Sequence, residues 1–217
     1  HADRPRLRNS RRCRALKPLD VTLADPTSDP NVQLMLRVRA GDAEAFRELF
    51  EKYSRAIVNF AYHFVENRQR AEEIAQDVFL QISRAAGRYE PTAKFTTWLY
   101  RIATNACLNE VRRPEHRHPK RPLEYQQDDD RKRAEIAFAD PTAVPGDSAL
   151  AGRELEAKIH EVLEVLPPNQ RAALLMSRVD GLSYLEVAVA LETTESAVKS
   201  LVFRATATMR KELAEFL

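Results

Sequence analysis

Four residues near the end of the chain have the types and spacing that contact with a nucleic acid requires. They are Lys199, Ser200, Phe203 and Arg204, which recur at steps of one, three and four positions. On a helix this spacing brings them to one face. The two cations can reach phosphates or guanine edges, and the short serine lets the helix backbone approach the DNA. The pattern favours a DNA-binding face, with an ordinary solvated helical hairpin as the alternative.

A second group of residues carries the opposite charge. Glu72, Glu73 and Asp77 lie close to Gln76, and the like charges of Glu73 and Asp77, four positions apart, cost a helix about 0.2–0.5 kcal/mol. A solvated acidic face would explain this pattern, and so would a surface that docks a basic partner. Because the basic residues elsewhere are candidates for DNA contact, the acidic patch favours a protein partner.

A third segment combines an apolar stripe with aromatic rings, amides and arginines. Its polar and aromatic members are Thr97, Trp98, Tyr100, Arg101, Thr104, Asn105, Asn109, Arg112 and Arg113. Such side chains can stack on unpaired bases and follow the phosphates of a single strand. Together with the loop Gly87–Lys94, they would form a platform and pocket for an extruded base. The alternative is that Trp98 is a core residue, as tryptophan more often is.

The sequence lacks the usual motifs for catalysis and for metal or cofactor binding. Its five histidines form no His-Glu-x-x-His motif, and its two cysteines are too few for a disulfide framework or a four-cysteine zinc site. There is no Gly-x-Ser-x-Gly, no phosphate-binding glycine loop and no dinucleotide fingerprint. We therefore expect a protein that is not an enzyme and that holds no metal or cofactor.

The elements that must position these residues are helices. The 217 residues include only five glycines, few for an all-β protein, and 44% are hydrophobic, enough for a core. Apolar residues recur at three- and four-residue steps in two blocks, 31–113 and 150–217. We predict an all-α protein with two small helical domains joined by a flexible linker.

Composition divides the chain into four parts. Residues 1–30 are rich in arginine and are predicted to form a basic, disordered arm, with a phosphate-contacting arm as the alternative. The helical domains 31–113 and 150–217 flank a proline-rich linker over 114–149. No apolar run is long enough to span a membrane and none lies near His1, so we expect neither membrane insertion nor a signal peptide.

The last two predicted helices have the proportions of a helix-turn-helix. They cover Ser183–Leu191 and Glu195–Leu213, and the break between them is Glu192–Thr194. Ser183 and Glu186 have the spacing of a capping box, and Thr193 or Thr194 would cap the second helix. The residues predicted to join the two helices are Val187, Ala188, Leu191, Ala197, Val198 and Leu201. Those predicted to point outward are Ser196, Lys199, Ser200, Phe203, Arg204 and Ala207.

Two sets of motifs resemble those of a known family. The stretches 71–80 (AEEIAQDVFL) and 95–105 (FTTWLYRIATN) are similar to conserved region 2 of extracytoplasmic-function (ECF) sigma factors. The stretches 166–171 (LPPNQR), 181–184 (GLSY) and 198–205 (VKSLVFRA) are similar to region 4 of the same family. The two sets are independent and occur in the right order, with the expected linker between them, so the resemblance is specific.

The resemblance implies a role for each surface. The residues implied to dock on the β′ clamp helices of core RNA polymerase are Glu73, Gln76 and Asp77. Those implied to engage the −10 element and to capture a flipped base are Tyr89, Trp98, Arg101, Asn105 and Arg112. Those implied to read the −35 element in the major groove are Lys199, Ser200, Phe203 and Arg204. The β flap of the polymerase and an anti-sigma factor are further implied partners.

We therefore predict a cytoplasmic bacterial sigma factor that directs promoter-specific transcription initiation. One alternative is a helix-turn-helix regulator that binds duplex DNA without core polymerase, which would leave the acidic helix and the Trp98 segment unexplained. Another is a helical interaction scaffold with no role in DNA binding. The chain departs from the family at Glu192, where glycine is common, and at Leu201, where arginine is common, so its DNA-reading surface is less basic.

Overall fold

The computed structural model describes residues 26–113 and 147–214, and every regular element in them is helical. The α-helices are α1 Pro30–Arg39, α2 Ala43–Val65, α3 Arg68–Ala85, α4 Phe95–Val111, α5 Asp147–Val165, α6 Pro168–Arg178, α7 Tyr184–Ala190 and α8 Glu195–Glu212. Single turns of 3-10 helix occur at Pro26–Ser28 and Ala86–Arg88. The predicted all-α fold is confirmed.

Helices α1–α4 pack around a common apolar core, the first helical unit. Large side chains buried completely in it are Met35, Leu49, Ile57, Ile82, Phe95 and Leu99. Leu49, Ile57, Ile82 and Leu99 lie on the apolar faces that the helical period predicted. The carboxylate of Asp42 and the amide of Asn67 cap α2 and α3, accepting hydrogen bonds from the backbone N–H groups of Ala45 (3.1 Å) and Arg70 (2.9 Å). Local capping therefore sets where these two long helices begin.

Helices α5–α8 form the second helical unit, which contains the predicted helix-turn-helix. The capping box at the start of α7 is present: the N–H of Ser183 donates to the Glu186 carboxylate at 2.8 Å, and the N–H of Glu186 donates to the Ser183 hydroxyl at 3.3 Å. Thr194 caps α8 by accepting from the N–H of Ala197 at 3.2 Å. Gly181, with a φ of 72°, ends the turn between α6 and α7 in the left-handed conformation that glycine favours.

Two boundaries differ from those expected from composition. Helix α5 begins at Asp147, three residues before the predicted boundary at 150. Residues 26–30, expected within the arm, form a 3-10 turn and the start of α1, where Asp29 accepts a hydrogen bond from the N–H of Asn31 at 2.9 Å. A single capping side chain is enough to begin a helix in a segment whose composition looks irregular. The rest of the predicted arm and linker, 1–25 and 114–146, lies outside the described residues.

A buried arginine joins the two units. Arg171, at the start of α6, is only 7% exposed. Its guanidinium donates to the backbone oxygen of Glu164 at 2.6 Å and to that of His63 at 2.8 Å. Both oxygens belong to the last turn of their helices, α5 and α2, where carbonyls lack partners within the helix and the helix dipole is negative. One cation therefore caps the C-terminus of a helix in each unit.

Candidate nucleic-acid and protein interfaces

The outward face of α8 is open to solvent. Its members Lys199, Ser200, Phe203 and Arg204 are all exposed. Phe203 is 73% exposed although it is a large apolar side chain, whereas Val198 and Val202 on the opposite side of the helix are buried. An exposed ring beside cations has the character of a surface that meets a partner, such as the thymine methyl groups of the major groove. The predicted orientation of this helix is confirmed, and its contact with DNA stays a prediction.

The cations of this face are held by weak local bonds. The Lys199 ammonium lies 2.7 Å from the Glu195 carboxylate, and the Arg204 guanidinium donates to the backbone oxygen of Ser200 at 3.2 Å. An exposed ion pair of this kind contributes only about 0–1 kcal/mol. Both cations can therefore exchange these partners for a phosphate or a base edge at little cost.

The acidic face of α3 includes an exposed apolar side chain. Gln76 and Asp77 are exposed, and Leu80, one turn later on the same side, is 50% exposed. Glu73 is partly buried and its carboxylate pairs with Arg70. An apolar centre with a charged rim is the usual composition of a surface that docks a protein. Leu80 was not among the predicted docking residues, although its position on the polar side of an amphipathic helix was visible in the sequence.

The aromatic residues at the start of α4 pack on one another. Trp98 is partly buried, and its ring centroid lies 4.9 Å from that of Tyr89 and 6.1 Å from that of Phe95. Tyr89 is 4% exposed, and burial raises the pKa of its hydroxyl to about 12. The direct base contact predicted for Tyr89 is not available in this conformation, because its apolar ring is folded into the core beneath the indole. Its place in the structure is to support Trp98.

The other predicted strand-binding residues share one side of α4. Trp98, Arg101, Asn105 and Arg112 follow at helical spacing. Asn105 and Arg112 are exposed. Arg101 is different, because its guanidinium lies 2.5 Å from the carboxylate of Glu192, in the helix-turn-helix of the second unit. The structure therefore assembles the predicted face and places part of the second unit against it.

A carboxylate from the start of α1 also fixes the start of α4. Lys94, the N-cap residue of α4, makes no side-chain cap. Asp29 supplies one instead: one of its oxygens accepts from the N–H of Phe95 at 3.2 Å while the other accepts from the N–H of Asn31 at 2.9 Å. A negative charge is favourable at both helix N-termini. No motif predicted this bond, because its two ends are 66 residues apart.

Two imidazole rings meet where α2 and α5 approach each other. The rings of His63 and His160 are stacked, with their centroids 5.0 Å apart. Burial, and then the nearby His160 and Arg171, lower the pKa of His63 to about 4. Burial lowers the pKa of the Arg171 guanidinium, and the carboxylates of Glu66 and Glu164 offset part of this effect. The folded chain therefore disfavours a proton on His63.

We expect acid to weaken this packing through His63. Its folded-state pKa of about 4 lies below the ordinary value of 6.5, so the unfolded chain takes up this proton first as the pH falls from 6.5 towards 4. The stability contributed by neutral His63 is therefore lost through this window. Between pH 7 and pH 5, we expect the unchanged chain to lose about 1–2 kcal/mol more free energy of unfolding than His63→Gln in urea denaturation.

Asp180 provides a control of opposite sign for this pH dependence. Burial raises the pKa of the Asp180 carboxyl to about 6, so the folded chain binds this proton first as the pH falls. Protonation of Asp180 therefore stabilises the folded chain in acid. Asp180→Asn removes this stabilisation and should lose more free energy of unfolding in acid than the unchanged chain does. Identical pH profiles for the unchanged chain and His63→Gln would show that His63 is not held neutral.

Apart from these interfaces, the described residues contain few features for metal binding, membrane insertion or nucleophilic chemistry. Within 26–113 and 147–214, no three His, Cys, Asp or Glu side chains are grouped so that they could hold a metal ion. In the same part of the chain no helix is both long and apolar enough to cross a membrane. Cys107 is fully buried, and burial raises the pKa of its thiol to about 12. Cys107 is therefore a packing residue and not a reactive thiolate.

Comparison with known proteins matches both units to one family. Residues 49–117 match the family model of sigma-70 region 2, and residues 156–209 match that of sigma-70 region 4. The RNA polymerase sigma-H factor of Pseudomonas aeruginosa is 32% identical over 201 residues, 88% of this chain and 97% of the relative. The ECF RNA polymerase sigma factor SigM of Mycobacterium tuberculosis is 31% identical over 185 residues, 84% of each chain.

Solved structures share the helical fold. CnrH, solved in complex with the cytosolic domain of CnrY, has a TM-score of 0.63 and 21% identity, covering 86% of this chain and 99% of that chain. RpoE from Bartonella quintana, solved with the anti-sigma factor NepR, has a TM-score of 0.56 and 18% identity, covering 79% and 98%. Because the family matches fall in order on the two helical units, and relatives align along nearly the whole chain, the protein belongs to the ECF family of RNA polymerase sigma factors.

Proposed function

We propose that this chain is the promoter-specificity subunit of a bacterial RNA polymerase and that it acts in the cytoplasm. Residues 31–113 would bind core polymerase and the −10 element, and residues 150–217 would bind the −35 element and the β flap. The linker over 114–149 would join them. The polymerase performs the chemistry of RNA synthesis, so this chain needs no catalytic group, metal or cofactor of its own. An anti-sigma factor would control it.

The observation that carries this proposal is the presence of two exposed faces of opposite character on one chain. The α3 face presents Gln76, Asp77 and the half-exposed Leu80. The α8 face presents Lys199 and Arg204 beside the exposed ring of Phe203. A DNA-binding regulator that acts alone needs the second face but has no use for the first. Their combination suits a protein that connects DNA to a larger partner.

The energetics of strand separation fit this division of work. Opening duplex DNA loses about 1.4 kcal/mol of stacking per base-pair step. Stacking an extruded base on an aromatic side chain contributes about 1–3 kcal/mol. Trp98, supported from below by Tyr89, is the aromatic surface of α4 that remains partly exposed. Stacking of a base on Trp98 can therefore offset the free-energy cost of opening about one base-pair step. The free energy for opening the other steps comes from the contacts with the polymerase.

Promoter-specific run-off transcription with purified core polymerase tests the proposal. We expect the intact chain to bind core and to direct initiation at its own promoters. Absence of core binding by correctly folded protein would refute it. A gel shift with duplex promoter DNA separates the main alternative, because a regulator that acts alone should bind the duplex tightly without polymerase.

We expect variants of the two faces to separate the two binding activities. Asp77→Arg places a cation on the docking face and should weaken core binding about tenfold or more, since like charges across an interface cost several kcal/mol. Arg204→Ala should weaken promoter-complex formation about tenfold while leaving core affinity within about twofold. Fluorescence anisotropy with core polymerase measures the first effect, and a filter-binding titration of holoenzyme on promoter DNA measures the second.

Matched substitutions away from both faces control for charge. Glu161→Arg reverses an exposed charge on α5, and Arg210→Ala removes an exposed arginine from the same helix as Arg204. Neither should change core or promoter binding by more than about twofold. Equal losses of both activities in Asp77→Arg and in Arg204→Ala would count against separate docking surfaces.

A further inference from the structure

The loop that leads into α4 is held at both of its ends by side chains from the ends of α1. Residues 89–94, just before α4, have no regular secondary structure. At the start of this loop, the guanidinium of Arg39 donates to the backbone oxygen of Tyr89 at 3.1 Å. At its end, the carboxylate of Asp29 accepts from the N–H of Phe95 at 3.2 Å. The two bonds join residues 50 and 66 positions apart, so the packing of α1 fixes where the loop lies.

Helix α1 separates the two anchors and is itself firmly packed. Asp29 is its N-cap and Arg39 its last residue, so the anchors lie about 15 Å apart along the helix axis at about 1.5 Å per residue. Val32 and Met35, on the inner side of α1, are completely buried. A helix that is fixed in the core and bonded to the loop from each end acts as a rigid brace for it.

The bond from Arg39 fixes the residue on which Trp98 rests. Tyr89 is buried, and its ring centroid lies 4.9 Å from that of Trp98. Burial, and after it the negative charge of Asp29, raise the pKa of the Tyr89 hydroxyl to about 12, so this carboxylate lies close to the ring. Trp98 is only partly buried and is the ring of this pair that can face a base. A displacement of the Tyr89 backbone would therefore move the indole that stacks on it.

We propose that Arg39 is a positioning residue for base capture: through Tyr89, it holds the Trp98 indole in the orientation on which an extruded base of the −10 strand stacks. A binding site works only when its contact groups are held within about 0.5 Å of the productive geometry by supporting bonds. The inference rests on the proposed function, because it takes α4 to be the face that binds the strand. It adds a role for α1, which carries none of the residues predicted to engage DNA.

A direct contact between Arg39 and DNA leads to a different expectation. Arg39 is exposed, and removal of an arginine that pairs only with a phosphate weakens binding to all sequences alike and lowers the salt dependence of binding. The bond to the Tyr89 carbonyl instead ties the effect of Arg39 to the base that stacks on Trp98. Removal of that base separates the two roles, because a positioning residue then has nothing to position.

Arg39→Met tests the proposal in holoenzyme, the complex of the full-length chain with core polymerase. The probes for fluorescence anisotropy are promoter fragments with a single-stranded −10 non-template strand, one intact and the others with one abasic residue at each −10 position in turn. At the captured position, loss of the base should weaken binding by the unchanged chain about 5- to 100-fold. Arg39→Met should bind the intact probe about three- to tenfold more weakly, but the abasic probe within about twofold of the unchanged chain.

Arg37→Met is the matched control. Arg37 is an exposed arginine in the same last turn of α1, and its ion pair with Asp42, at 2.8 Å, does not involve the loop. Its replacement should leave the binding of every probe within about twofold. Arg39→Lys keeps a charged donor for the Tyr89 carbonyl and should bind the intact probe within about threefold of the unchanged chain.

A loss in Arg39→Met that requires the captured base, and that is absent from Arg37→Met, supports the positioning role. An equal loss on the intact and abasic probes, or no loss on either, would overturn it. The two proposals fail in different ways. If no abasic residue weakens binding by the unchanged chain, base capture by α4 is refuted, and the role of Arg39 with it. If the abasic effect has its full size in both the unchanged chain and Arg39→Met, only the role of Arg39 is refuted.

Discussion

Replacement of Arg70 by methionine is expected to destabilise the first helical unit by about 3 kcal/mol. Glu110 is only 4% exposed, and Arg70 binds its two oxygens at 2.6 and 2.8 Å, joining α3 to α4. The carboxylates of Glu110 and Glu73 raise the pKa of the Arg70 guanidinium, so its charged form is held firmly. In the variant, Glu110 keeps its buried charge and loses both bonds, although Arg113 still lies 3.2 Å away.

Two further variants test whether the loss is specific to the buried ion pair. Urea denaturation measures the free energy of unfolding of each. Arg68→Met is the same substitution two positions earlier on α3, where Arg68 pairs with Glu72 at the surface, and it should cost no more than about 1 kcal/mol. Combining Arg70→Met with Glu110→Leu replaces the ion pair by apolar contact and should recover most of the loss. If Arg70→Met were as stable as Arg68→Met, the buried carboxylate would not depend on its partner.

Replacement of Arg171 by methionine is expected to destabilise the chain by about 2–4 kcal/mol and to loosen the packing of the two units. The guanidinium is buried, lies 5.4 Å from the centroid of the Phe64 ring, and donates to one carbonyl in each unit. Hydrogen bonds to a charged group contribute about 1.5–3 kcal/mol each, and the abandoned carbonyls at the ends of α2 and α5 would add their own penalty. Removal of a buried charge offsets part of this loss, because the desolvation cost of the guanidinium disappears with it. Urea denaturation measures the first effect, and the radius of gyration in solution measures the second.

The chain offers matched controls for Arg171. Arg178→Met changes an exposed arginine in the last turn of the same helix and should alter stability by less than about 1 kcal/mol. Arg171→Lys keeps the charge, but an ammonium lacks the planar fork that reaches two carbonyls, so an intermediate loss is expected. A radius of gyration unchanged in Arg171→Met would mean that the units are held together by other contacts.

Replacement of Arg70 and replacement of Arg171 are expected to affect function differently. Arg70 lies inside the first unit and also pairs with Glu73, a predicted polymerase contact, so its loss should disturb core docking. Arg171 connects the units, so its loss should loosen their contact. The Arg70 variant is therefore expected to affect core docking, and the Arg171 variant the packing of the two units.

The sequence predicted the helices and their faces because the signals for both are local. Most of the apolar residues predicted over 43–64 lie on the core side of α2, although Phe50 is 40% exposed, and the Ser183–Glu186 capping box formed as expected. The outward set on α8 is exposed for the same reason, since spacing along one helix determines which residues share a side. The motifs of regions 2 and 4 were equally readable, because each lies within a few turns of helix.

Only the tertiary structure decided how these faces meet. Tyr89 has the composition of a base-stacking residue, yet packing turned it into the support of Trp98. The bonds of Arg70 with Glu110, Tyr100 with Asp180 and Arg171 with His63 span 40, 80 and 108 residues. Periodicity and capping act over a few residues and cannot encode such pairs, which exist because apolar burial first brings the helices together. The sequence by itself therefore determined which surfaces this sigma factor has, and the packing of its two units decided which of them are covered.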